Sequence, residues 1–163
     1  MNGKWLDIVI FEGWCLGYRA LTEAQICDHW TESCEYKDPY SRLWKHRLED
    51  LIWVNKQLAN YDVLTNALDA FIYIDVWDLQ FVYRWRQEAE AKMRAENNGQ
   101  GMTDDEVIDF VNGYYTSYEL YREGLRGTVF KSPEQENSYI PGTKRFLSFV
   151  VNANRRVVSA SEF

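Results

Sequence analysis

The chain is 163 residues long, the size of one domain, and its 46% apolar and 16% aromatic content is ample for a hydrophobic core. Its formal net charge of −7 sets up a field that repels polyanions, which argues against nucleic acid as a partner. No stretch approaches the roughly 20 apolar residues of a membrane span, and the first residues lack the basic flank and long apolar run of a signal peptide, so the sequence reads as a soluble cytoplasmic protein with no membrane partner.

In chain order, Asp7–Glu12 reads as a buried strand, because the apolar run Ile8–Phe11 delivers the Glu12 carboxylate into Gly13. Parallel α/β folds present an acid at a strand's carboxyl end in this way. Cys15, Cys27 and Cys34, with His29 between the last two, contain no Cys-x-x-Cys pair and match no common zinc spacing, so they read as free thiols. Thr31–Tyr40, polar and containing Pro39, reads as a loop. From His46 to Asn60, residues Leu48, Leu51, Ile52, Asn55, Leu58 and Ala59 share one face, the pattern of a crossover helix.

Ala70–Asp75 (AFIYID) is a second strand, and Asp78–Glu96 a second helix with the stripe Val82, Trp85, Ala89 and Met93. Its other face pairs Arg84 with Glu88, Arg86 with Glu90, and Glu90 with Arg94 at i,i+4 spacing. Thr103 and Glu106 make a capping-box signature that opens another helix, with Val107, Ile108, Phe110 and Val111 on its buried side, running on into the aromatic stretch Tyr114–Tyr121. Lys131–Gly142, with Pro133 and Pro141, reads as a loop, and Phe146–Val151 as a third strand. Strand and helix in alternation predict the α/β class, a parallel sheet with flanking helices.

Glu12 is the sharpest chemical candidate. An acid at a strand end before a glycine is placed to orient the waters of a magnesium ion whose other ligands are nucleotide phosphates; the alternative is an acid that caps a turn or pairs with an arginine. Arg84, Arg86 and Arg94 form a basic helix face able to meet a phosphoryl group, against the alternative of a solvated, salt-bridged surface. Arg155 and Arg156, after the last strand, suit a base or a phosphate, or else plain surface. The two histidines, His29 and His46, lie in no nucleophile-triad context.

FEGWCLGYRAL (Phe11–Leu21), the segment Leu43–Asp75, FVYRWRQEAEAKMR (Phe81–Arg94) and GMTDDEVIDFVNGYYTSYELY (Gly101–Tyr121) together resemble the fungal and plant D-glycerate 3-kinase family, relatives of uridine kinase and phosphoribulokinase among the P-loop kinases. The resemblance implies a phosphotransferase that passes the γ-phosphoryl of ATP to a hydroxyl of glycerate, a small-molecule substrate, with magnesium between the phosphates. It implies Glu12 as the metal-side acid, Arg86 as the catalytic arginine of a lid-like helix over about 78–96, and Arg155 and Arg156 in the tail near the adenine. In that tail the family often carries a glycine and an acid where this chain has Asn152 and Asn154.

In the family the phosphate-binding loop, the acid that activates the acceptor and much of the acceptor pocket precede the FEGW strand, whereas the 163 residues contain no Gly-x-x-x-x-Gly-Lys-Ser/Thr. Residues 1–163 therefore read as one incomplete P-loop-kinase-like domain, the carboxyl-terminal half of a truncated sequence, inactive as an isolated chain. The rival reading is a non-catalytic scaffold derived from the kinase fold that associates through exposed strand edges.

Overall fold

The computed structural model describes residues 8–126, 129–130 and 145–162. Its first helix, α1 (Glu23–Tyr36), starts at a capping box in which the Thr22 hydroxyl and the Gln25 side chain each satisfy the other's backbone amide. The helix buries Ile26 completely, and its Trp30 indole donates to the His46 carbonyl at 2.9 Å. It ends at Lys37 in the left-handed conformation, φ 45°. The expected loop over Thr31–Tyr40 is thus helical as far as Tyr36.

Helix α2 (Leu48–Leu58) and the short α3 (Asp62–Asn66) lead to β1 (Ala70–Val76). Helix α4 (Phe81–Glu96) and α5 (Asp104–Tyr121) then carry the chain to β2 (Arg145–Val151), which lies parallel to β1, with Phe71 opposite Phe146 and Asp75 opposite Val150. Parallel neighbours need a crossover of this kind. A third strand, β3 (Val157–Glu162), returns antiparallel to β2. It is exposed along its whole length, and sequence periodicity did not single it out.

Asp7–Glu12 was expected as a strand, yet Ile8–Glu12 forms no strand, and Ile8, Val9 and Ile10 are 80%, 76% and 89% exposed. A strand is defined by its partner's hydrogen bonds, and among the described residues the sheet runs β1-β2-β3 with no fourth member. Asp7 lies outside the described residues, as does the loop expected over Lys131–Gly142.

The core forms on one face of the sheet. Alternation along β1 buries Phe71, Tyr73 and Asp75 while leaving Ile72 and Ile74 exposed. Phe71 stacks on Phe146 at 6.0 Å, and Tyr18, Ile26, Leu43, Leu51, Leu120 and Tyr121 complete this cluster. A second cluster, Val107, Val111 and Tyr115, holds α5 against α4. The sides of α4 differ from the expected stripe: Ala89 and Met93 face solvent, and Glu90 is buried.

Candidate active site

The segment that follows Glu12 is fixed by backbone contacts that leave little freedom. Gly13 to Tyr18 is a tight turn, closed by Leu16 N–H to the Gly13 carbonyl and Tyr18 N–H to the Cys15 carbonyl. Gly17 has φ +85°, and a Cβ there would lie 2.7 Å from the Phe71 ring and 2.8 Å from Val129 Cγ2. Only glycine fits. Arg19, 8% exposed, then donates through Nε and Nη2 to the Val129 carbonyl and through Nη2 to Asn66, and pairs with Asp62 at 2.9 Å. The Asn55 amide closes on the backbone of Leu21, accepting from its N–H at 2.9 Å and donating to its carbonyl at 2.8 Å.

Glu12 itself is exposed, and its carboxylate takes no hydrogen bond or ion pair among the described residues. Those residues hold no group of three or more metal-ligating side chains. A cation at this turn would therefore be held by one carboxylate together with waters and ligand oxygens, the manner in which magnesium binds beside phosphates. Cys15, Cys27 and Cys34 are free thiols.

Two residues beyond Glu12, Trp14 meets α5. Its ring lies 5.3 Å from Tyr114 and 6.0 Å from Tyr118, and on the other side of Tyr114 stands Phe110 at 5.4 Å. The guanidinium of Arg86 lies over Phe110, 4.9 Å from the ring centre. An unbroken aromatic row thus joins the Glu12 turn to the arginine of α4. Arg86 also pairs with Glu90 at 3.1 Å, and its Nε is buried with no acceptor.

Arg84 behaves as a surface residue, paired with Glu88 at 2.8 Å. Arg94 does not reach Glu90 but pairs with Asp104 at 2.8 Å and donates to the Met102 carbonyl. Arg155, at φ 58°, ion-pairs with Glu88 at 2.9 Å and covers one face of Trp85 at 5.1 Å. The Trp85 indole donates to the Ala153 carbonyl at 2.9 Å. The turn between β2 and β3 is folded around Asn152, whose side chain accepts from the N–H groups of Asn154 and Arg156. Arg156 is exposed, and its side chain makes no ion pair among the described residues. Helix α4 therefore carries Arg86 toward α5, and Trp85 with Arg155 on the side of the β2–β3 turn.

A buried acid that the sequence reading passed over lies at the end of β1. Asp75, 3% exposed, accepts from Arg122 Nε at 2.7 Å, from Arg126 Nε and Nη2 at 3.0 and 2.8 Å, from the Tyr73 hydroxyl at 3.0 Å and from the Val76 N–H at 2.8 Å. Burial pushes its carboxyl up, but hydrogen bonds from Arg122 and Arg126 outweigh burial and hold it below the ordinary range. Burial, with the negative Asp75 beside it, pushes the Tyr73 hydroxyl well up. Both Asp75 oxygens are taken by protein donors, so this acid locks β1 to the end of α5. The signal was available: AFIYID sets an acid at a strand end, as Ile8–Glu12 does.

The fold defines a class, an α/β chain of the P-loop kinase type. A solved D-glycerate 3-kinase from Cryptococcus neoformans superposes with a TM-score of 0.84 at 31% identity over 98% of this chain and 51% of that one. In sequence, the chain is 35% identical to the chloroplastic D-glycerate 3-kinase of Arabidopsis thaliana over 129 residues, 76% of this chain and 24% of that protein. It is 32% identical over 132 residues to an uncharacterised kinase, mug58, of Schizosaccharomyces pombe, 81% of this chain and 44% of that protein. No family model matches the chain. The particular resemblance is to D-glycerate 3-kinases and holds over most of the chain, which spans about half or less of each of these relatives. No helix among the described residues is long and apolar enough to cross a membrane.

Proposed function

We propose that this chain supplies the nucleotide-side parts of an ATP-dependent kinase that phosphorylates a hydroxyl of D-glycerate or a similar small molecule. The observation that supports this most is its superposition, over 98% of its length, on a solved D-glycerate 3-kinase. In this reading Glu12 faces the metal, Arg86 meets the transferring phosphoryl group, and Arg155 and Arg156 hold the nucleotide's base end. Magnesium, when bound, draws charge from the phosphate oxygens. The uncommitted Glu12 carboxylate fits a role in holding the ion's waters.

Arg86 fits the phosphoryl contact because its side chain is 37% exposed and spends one Nη on Glu90, which leaves other donors of the fork for an anion whose charge they offset. Arg155 rests on Trp85 and its side chain is 53% exposed, which suits stacking on a base. The 163 residues carry no glycine-rich loop ending in Lys-Ser or Lys-Thr. Without the amides and lysine of such a loop, phosphates bind only weakly and are not aligned or neutralised well enough for transfer, so the isolated chain does not turn over.

The test is phosphorylation of D-glycerate from MgATP, followed by phosphorus NMR. The 163-residue chain alone gives no product. Fusion to the preceding segment of a relative, including its phosphate loop, gives product, and Arg86→Ala in that fusion lowers kcat by about 100-fold, the scale of a lost charge contact in a transition state. A fusion that folds and binds ATP but is indifferent to Arg86→Ala contradicts the assignment.

A second reading has its own observation. Ile8, Val9 and Ile10 are all at least three-quarters exposed, and β1 pairs on one edge only among the described residues. Such surfaces suit a scaffold that associates through its sheet edge. That reading predicts a stable oligomer or heteromer in size-exclusion chromatography coupled to light scattering; a stable monomer opposes it.

A further inference from the structure

Glu90 is a carboxylate 2% exposed to solvent inside a helix whose other glutamates face water. Burying a charged acid is costly unless every oxygen is met. Here both are met, from different directions. Oε1 accepts from the backbone N–H of Met102, in the connection between α4 and α5, at 3.0 Å, and Oε2 accepts from Arg86 Nη2 at 3.1 Å. The carboxylate also fills space that a side chain at residue 101 would occupy: a Cβ on Gly101 would lie 3.0 Å from Glu90 Oε1 and 2.8 Å from Arg94 Cγ.

We infer that Glu90 is the positioning residue for Arg86: anchored on the Met102 amide, it fixes the guanidinium against Phe110 and leaves for a phosphoryl oxygen the Nη donors that it does not use. Two restraints set the guanidinium, a carboxylate at one edge and an aromatic ring under one face. Only one Nη is spent in doing so, which leaves the remaining donors of the fork for a ligand. The inference rests on the reading of Arg86 as the phosphoryl contact. It adds that the arginine's aim is set by the α4–α5 connection, so residues 101 and 102 control a group on a different element.

Charge alone makes the opposite prediction. Neutralising an acid beside Arg86 raises the local positive potential and strengthens anion binding, whereas loss of positioning weakens it. The test uses the 163-residue chain and inorganic tripolyphosphate as the probe. Glu90→Gln, close to isosteric, lowers tripolyphosphate affinity about 10-fold in the parent chain and less than about 2-fold when Arg86→Ala is already present, because the two act as one unit. An equal change in both backgrounds, or tighter binding by Glu90→Gln, overturns the inference.

A second measurement needs no ligand. In the NMR spectrum of the arginine side chains, Arg86 shows slowed rotation about Nε–Cζ in the parent and fast averaging in both Glu90→Gln and Gly101→Ala, the latter crowding both the Glu90 carboxylate and the Arg94 side chain without changing any charge. Identical Arg86 signals in parent and variants overturn the positioning role whether or not the variants bind anions. Slowed Arg86 rotation released by Glu90→Gln, in a parent chain that ignores tripolyphosphate, upholds the positioning and sinks the reading of Arg86 as the phosphoryl contact, so the two failures are distinguishable.

Discussion

Trp14 stands against Tyr114 with ring centroids 5.3 Å apart and planes at 49°, and through this contact the turn that bears Glu12 is tied to the helix that faces Arg86. Because Trp14 is 55% exposed, its ring contributes mainly to local order. Trp14→Ala is expected to cost only about 1 kcal/mol of global stability, the scale of a few aromatic pairs. It should nonetheless speed hydrogen exchange at residues 13–18 while leaving the amides of β1 protected. Exchange that is unchanged at 13–18 would show that the turn is held without the aromatic row.

Asp75 gives the sharpest stability prediction. Asp75→Asn leaves Arg122, 15% exposed, without its anionic partner, and breaking a buried pair by removing one member costs about 3 kcal/mol. Its folded carboxyl lies below the ordinary aspartate value of 3.8. The stability it contributes is therefore full above that value and is lost as acid carries the pH below it, through the lowered folded value. Urea unfolding from pH 6 down to pH 2 should show a steeper acid loss in the parent than in Asp75→Asn; parallel curves would contradict the assignment.

The sequence pattern was readable where a buried face is apolar and continuous. Strands β1 and β2, helix α2 and the Thr103 cap of α5 all lie where periodicity and capping chemistry put them. Helix α1 escaped because its apolar side is thin, although Thr22 followed by Gln25 is a capping signature that could have found it. Strand β3 escaped because VVSASE buries nothing. The opposite error at Ile8–Phe11 has the opposite cause: an apolar run states that a segment wants a neighbour, not that one is present. Arg86 with Glu90 was visible as an i,i+4 pair, but spacing cannot say that Glu90, alone on α4, would be buried. The Asp75 lock joins residues 75, 122 and 126, a proximity that no local pattern encodes.

Asn55 illustrates the same point energetically. It occupies an apolar position of the α2 face, and pattern alone would favour leucine there. Its amide instead satisfies both the N–H and the carbonyl of Leu21. Asn55→Leu should therefore destabilise the chain by about 2 kcal/mol despite its greater apolarity, since it leaves two backbone groups without partners. A thermal midpoint equal to or above the parent's would contradict this.

Gly17→Ala combines a left-handed backbone with a clash against Phe71 and Val129 in the core. The two effects together should cost about 3 kcal/mol. Gly99→Ala has the similar φ of +83° but nothing within 4 Å, so it should cost only about 1 kcal/mol. Equal denaturation midpoints for the two variants would show that the close approach at Gly17 carries no weight.

The central claim, that Glu12 and Arg86 belong to one nucleotide site, is tested most directly by titrating MgATP into the isotopically labelled 163-residue chain and following its amide and arginine NMR signals. The account predicts weak, magnesium-dependent, saturable shifts at residues 12–14, at Arg86 and around Arg155, which Glu12→Gln and Arg86→Ala each diminish. A folded chain whose signals ignore MgATP, or shift only at residues remote from these and equally in both variants, would contradict it.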